Sequence, residues 1–211
     1  MGSVSQKALY QARVERHGEE AVQKLQNACV GIAGLGGLGS HIAISLARMG
    51  VGKLVLADFD RVDVTNLHRQ QYFVEQVGLL KTEALADTLR KIDPWMQLEL
   101  HSVRLASENL PTIFGGCSIL CEAFDKAEEK AMLLETVLTE LPHTTVVSGS
   151  GMAGAGSVNE IQTRKAMNRL YLCGDEETDV EEYGSLFASR VAVCAGHQAH
   201  MVLRLLLGET E

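Results

Sequence analysis

No two cysteines in the chain are spaced CxxC. The five present, Cys29, Cys117, Cys121, Cys173 and Cys194, are odd in number and irregular in spacing, which argues against a disulfide framework and against a zinc ribbon. Positive charge is also short. Against 27 Asp and Glu stand 19 Lys and Arg, a formal net charge of -8, so bulk attraction to nucleic acid is not expected, although a local cationic pocket is compatible with it. Met1 to Gln26 is charged throughout and lacks the apolar core of a signal peptide. No uninterrupted apolar run approaches the ~20 residues needed to cross a bilayer. A soluble cytoplasmic protein with no membrane partner is expected. Aromatics are few at 5%. No internal repeat or linker divides the chain, so one domain is expected over 1–211, opened by an N-terminal helical region over 1–27.

What is present is glycine, 20 residues of it, with 46% hydrophobic residues and 22% charged, the balance of a soluble globular protein. The pattern alternates. Gln6 to Gln26 reads as helical with a break at Gly18, and Cys29–Ala33 and Lys53–Ala57 read as short buried strands around a helix over His41–Arg48. A helix over Lys81–Ile92 is stopped by Asp93–Pro94. Strands follow at Met96–Val103, Ser118–Ala123 and Thr144–Ser148, with a helical turn near Ser107–Phe114 and a long helix over Lys126–Glu140. Val158–Gln162 reads as a further strand, Asp175–Glu182 as acidic, irregular and exposed, and Val191–Leu207 as an apolar closing helix. Strands alternating with helices imply an α/β fold, a Rossmann-like, doubly wound, mostly parallel sheet preceded by an N-terminal helix.

Gly34, Gly36 and Gly39 fit GxGxxG, with Gly37 in addition, between a predicted strand and a predicted helix. That is the context in which the motif binds nucleotides: glycines permit a tight turn and close backbone approach, and the helix amides hold phosphate. Asp58 closes the next strand, where a carboxylate accepts hydrogen bonds from ribose hydroxyls. The motif alone does not choose among NAD, FAD and ATP. The following loop does, because Asn66, Arg69 and Lys81 are the donors and cations that a triphosphate of about four negative charges requires.

The run DxDxVxxxNLxRQ from Asp58 to Gln70, after a GxGGLG turn, resembles the ThiF/MoeB family, relatives of ubiquitin-activating enzymes, and is most similar to short ThiF-like proteins of thiamine biosynthesis. The resemblance runs from about Arg16 to the closing helix. It implies that Asp58 holds the ribose, with Asp60 beside it in the motif, that Asn66, Arg69 and Lys81 contact the phosphates, and that Gln70 supports the Arg69 loop. Asp125, in Glu122–Ala123–Phe124–Asp125, matches the family's magnesium-associated Asp, and its other role would be to cap the next helix. An N-terminal Arg of the family completes the partner subunit's ATP site. Arg16 is the candidate and Arg13 the second, which implies a homodimer. The implied reaction is adenylation by ATP and Mg²⁺ of the C-terminal carboxylate of a ubiquitin-fold sulfur carrier ending in Gly-Gly (a ThiS-like protein), with release of pyrophosphate.

Two departures from the family stand out. The CxxC pairs that hold structural zinc in many members are missing, so no structural zinc is expected. Cys173 is the only cysteine placed like the family's covalent cysteine, with Arg164, Lys165 and Arg169 as cations that could activate it, against the alternative of a small buried hydrophobe. His197 and His200 share a helix face without an evident third ligand. Other functions remain open: a tRNA-modifying dehydratase of the same superfamily, an NAD(H)-dependent oxidoreductase or sensor, and a non-catalytic ATP-binding scaffold. The first would call for a basic surface, and the second would leave Asn66, Arg69 and Lys81 without a purpose.

Overall fold

In a computed structural model, which describes residues 4–209, the polar N-terminal stretch folds as α1 (Gln6–His17) and α2 (Glu19–Gln26), parted at Gly18. Then follow β1 (Cys29–Ala33), α3 (Gly37–Met49), β2 (Lys53–Ala57), α4 (Lys81–Ile92), β3 (Gln97–His101) and the short α5 (Leu110–Phe114). The second half contains β4 (Ile119–Glu122), α6 (Ala127–Glu140), β5 (Thr145–Gly149), β6 (Gln162–Met167), β7 (Leu170–Gly174), α7 (Val180–Tyr183) and α8 (Ala188–Leu207). The seven strands form one sheet in the order β3-β2-β1-β4-β5-β7-β6. All pairings are parallel except β6 with β7. The fold is the Rossmann-like α/β architecture expected, and no described helix is long and apolar enough to cross a membrane.

Burial on both faces explains the uninterrupted apolar strands. Along β2, Leu54 and Leu56 enter one layer with α2, α3, α4 and α8, while Val55 and Ala57 enter the other with α5 and α6. On β1, Val30 and Ile32 face the first layer, and the small Gly31 leaves room on the second for Phe114, whose ring would lie 2.6 Å from a Cβ placed there. Strand order reverses between β1 and β4, so their C-terminal ends flank the crevice where such sheets bind ligands.

Three expectations need correcting. Val158–Glu160 is a 3-10 turn rather than a strand, and the strand begins only at Gln162. Its antiparallel partner β7 escapes the sequence reading because LYLCG is too short an apolar run to separate strand from loop. Arg169, in the connection between them, donates to the carbonyls of Leu138, Leu141 and Thr144 and so closes the C-terminal end of α6. The acidic stretch is not exposed throughout: the Asp175 side chain is 6% exposed and pairs with Arg190, itself 2% exposed in the first turn of α8.

Candidate functional site

The glycine turn is built by contacts that only glycine allows. Gly34 has φ +87, and a Cβ on Gly39 would lie 1.9 Å from the Gly34 carbonyl oxygen, so α3 packs directly against the turn. Gly36 differs: a Cβ there would meet only Gln70 Nε2, at 3.6 Å. Its smallness serves the space in front of it. No side chain caps the start of α3, which leaves the first amides of the helix and the positive end of its dipole open to an anion. The following loop is tied to this turn. Ser40 Oγ donates to Gly36 O (2.7 Å) and accepts from Gln71 N (3.1 Å), and Tyr72 Oη donates to Leu35 O (2.7 Å).

These elements wall a cleft of ≈ 1110 Å³ across the ends of β1, β2 and β4. Gly34, Gly36 and Gly37 line it, as do Asp58, Asp60, Asn66, Arg69, Gln70 and Lys81 from the second strand onward, and Asp125 from beyond β4. Asp58 is 8% exposed. It accepts from Leu35 N (2.7 Å) and Asp60 N (2.8 Å), so the carboxylate organises the turn and keeps lone pairs for a further donor. Burial pushes its carboxyl above the usual range, with Lys81 and the two amides offsetting part of the rise. Burial, and then the charges of Asp58 and Asp60, push the neighbouring Tyr72 hydroxyl well above its usual value.

Lys81 is only 5% exposed, its ammonium 2.7 Å from Asp60 and 3.9 Å from Asp58. It is a buried cation. Arg69 is half-buried and donates to Asn66 Oδ1 (3.1 Å). Gln70 does not reach the Arg69 side chain in any hydrogen bond; it turns toward Gly36, and its Oε1 is buried with no hydrogen-bond partner among the described residues. Asp125 is exposed at the cleft wall.

Sequence reasoning missed the floor beyond Asp125. Glu122, fully buried at the end of β4, accepts from Lys130 Nζ (2.9 and 3.0 Å), Phe124 N (2.7 Å) and Ser148 Oγ. Lys130 also donates to Gly149 O (2.9 Å), joining α6 to the end of β5. The signal was a lone acid in an apolar strand, ILCE.

Other candidates fall elsewhere. Arg16 is exposed on α1 and does not line the cleft. Arg13 is engaged within its own chain: it pairs with Asp93 (2.7 Å) and donates to Ala47 O (3.2 Å) near the C-terminus of α3, ten residues and so ~15 Å from the glycine turn. Cys173 lies on β7, fully buried and bonded to Thr163 Oγ1, and burial pushes its thiol to about 11. Arg164 is paired with Glu176 and Arg169 with carbonyls, so neither activates it. His197 bonds Thr163 Oγ1 (2.9 Å) in a separate groove beside β6, and no group of three or more metal-binding side chains occurs among the described residues.

A family model described as "ThiF family" matches residues 9–211. Among curated proteins, the chain is 34% identical over 151 residues to adenylyltransferase and sulfurtransferase MOCS3 of Caenorhabditis briggsae, covering 71% of this chain and 37% of that protein. It is 37% identical over 94 residues to ubiquitin-like modifier-activating enzyme 5 of the same organism, covering 44% of this chain and 22% of that one. The chain thus spans about a third or less of these relatives' length. Among solved structures, E. coli tRNA N6-threonylcarbamoyladenosine dehydratase TcdA in complex with ATP has the same fold, with a TM-score of 0.86 at 22% identity over 99% of this chain and 98% of that one.

Proposed function

Because the chain belongs to the ThiF family, we propose that it binds ATP in the cleft at the ends of β1 and β4 and adenylates a carboxylate. The acceptor is the C-terminal Gly-Gly carboxylate of a small ubiquitin-fold sulfur carrier, ThiS-like and serving thiamine biosynthesis. The observation that carries this reading is the meeting, in one cleft, of the uncapped start of α3, the buried acceptor Asp58, and the cations Arg69 and Lys81. A nicotinamide dinucleotide has no use for that cationic pair. The relatives' own names, an adenylyltransferase and a ubiquitin-like modifier-activating enzyme, support the same chemistry.

In the proposed reaction a carboxylate oxygen attacks the α-phosphorus, the bond to the β-phosphate oxygen breaks, and pyrophosphate leaves. No side-chain nucleophile is required, which agrees with the burial of Cys173. Catalysis is positioning and charge neutralisation. Asp58 accepts from the ribose, while the α3 amides, Asn66, Arg69 and Lys81 hold the phosphates. The orphaned Gln70 Oε1 offers a further acceptor at the turn. Magnesium is bound through one or two carboxylates plus substrate phosphates, and exposed Asp125 fits that demand; the ion would neutralise phosphate charge. Arg16, free of the intrachain contacts that occupy Arg13, is proposed to complete the triphosphate site of a second copy in a homodimer.

ATP–pyrophosphate exchange tests the reading. Exchange is expected only with a carrier ending in Gly-Gly. Exchange stimulated instead by tRNA bearing a carboxylate-containing modification would move the acceptor to nucleic acid, and binding of NAD without ATP would overturn the proposal.

A further inference from the structure

Two of the five free thiols meet at the end of the sheet opposite the cleft. Cys29 opens β1 and Cys117 lies just before β4 in the same ladder, where Val30 lies opposite Ile119. Both side chains belong to the apolar layer that holds Phe114, and their sulfurs are 3.6 Å apart. A disulfide needs ~2.05 Å, so a closure of ~1.5 Å, within reach of small side-chain rotations, would join them. The two thiols differ in access. Cys29 is partly exposed and stands in register with Lys53, whose ammonium is 2.7 Å from Glu99. Cys117 is 3% exposed, and burial, then the nearby Cys29, push its thiol far above the ordinary range.

We propose that Cys29 and Cys117 form a reversible dithiol–disulfide site, oxidised by peroxide. The Cys29 thiolate attacks one peroxide oxygen, the O–O bond breaks, and hydroxide leaves with the proton that Cys29 has lost. The sulfenic acid formed on Cys29 is then attacked by the Cys117 sulfur; an S–S bond forms, and the hydroxyl departs as water with the Cys117 proton. Two thiols and one hydrogen peroxide give one disulfide and two waters, the sulfurs losing two electrons to the peroxide oxygens. Access sets the order, because the half-buried sulfur meets the oxidant and the buried one resolves the product. Cys121, Cys173 and Cys194 are 0% exposed and have no such entry.

The experiment treats the folded full chain with hydrogen peroxide, blocks remaining thiols, and maps peptides without reductant. The expected result is a cross-link between the Cys29 and Cys117 peptides that dithiothreitol removes, with the other three thiols blocked only after denaturation. In Cys117→Ser, Cys29 should stop at a sulfenic acid that dimedone captures. In Cys29→Ser, Cys117 should remain a thiol. Oxidation of wild-type Cys29 to a sulfinic acid beside an unmodified Cys117 would overturn the proposal. So would two unreacted thiols in protein that circular dichroism finds folded. The wild-type map needs no substitution, so it decides the matter even where a variant fails to fold.

Discussion

Asp58 and Lys81 depend on each other in a way that Arg69 does not share. Removing the Lys81 ammonium would leave Asp58 buried without its cation. Lys81→Ala should therefore cost about 3 kcal/mol of stability, as broken buried pairs do, and also lower adenylation ~10²-fold. Arg69→Ala removes a donor held by Asn66 and exposed His68; its adenylation should fall by a similar factor with stability nearly unchanged. Urea unfolding beside pyrophosphate exchange separates the two, and equal stability losses would contradict the distinction. Asp58 adds a pH dependence. Its carboxyl is raised in the fold by burial, so protonating it as pH falls through that raised value favours the folded state rather than opposing it. Under the proposed role, ribose recognition uses the carboxylate and is lost in the same window. ATP affinity should begin to fall at a pH above the ordinary aspartate value of about 3.9, and Asp58→Asn should flatten that step from a lower plateau. Calorimetric titration across pH measures it; an unchanging affinity down to that value would exclude the role.

The strand–turn–helix element β1–α3 assigns its glycines unequal work. At Gly39 a methyl group would enter the Gly34 carbonyl, at 1.9 Å, so Gly39→Ala must displace the helix or the turn and should cost about 4 kcal/mol or more, on the order of the largest single-residue effects. Gly36→Ala meets nothing closer than Gln70 Nε2 at 3.6 Å and should melt within roughly 2 °C of the parent, since it gives up little or no packing. Its methyl would stand where phosphate approaches the amides, so ATP affinity should drop at least ~10-fold, the effect of losing close backbone approach. Thermal melts with and without ATP distinguish the two glycines. A Gly36→Ala protein that binds ATP normally would show that the turn does not cradle phosphate.

At the scale of the whole molecule, α1 is weakly supported: it has no buried residue and is short for a helix that must stand on its own. Arg13 anchors it through Asp93, leaving Arg16 as the N-terminal arginine able to serve a second copy. If the active unit is a two-fold dimer with shared sites, Arg16→Ala and Arg69→Ala proteins should each be nearly inactive alone. Mixed in equal amounts, half of the dimers would be heterodimers carrying one intact site of two. About a quarter of wild-type exchange activity should return. No recovery on mixing, or a monomer by sedimentation at micromolar concentration, would remove Arg16 from the site.

The sequence by itself determined the layered α/β fold, because a glycine turn between two short apolar runs and repeated strand–helix alternation leave few ways to bury both faces of a sheet. It also determined that Gly34, Gly36, Gly37, Asp58, Asn66, Arg69 and Lys81 would share a crevice, since all follow the C-terminal ends of adjacent parallel strands, whereas Gly39 packs behind the turn. Tertiary structure decided what local pattern could not carry. The β6–β7 hairpin depends on pairing across the sheet edge, and its polar outer strand has no apolar period to read. Lys81 is buried because two aspartates fold around it, and of the two readings of Cys173 the buried hydrophobe holds because β7 carries it under α8. The Glu122–Lys130 floor and the Cys29–Cys117 contact join residues 8 and 88 positions apart. Such meetings are fixed by packing distance, which composition and spacing do not encode.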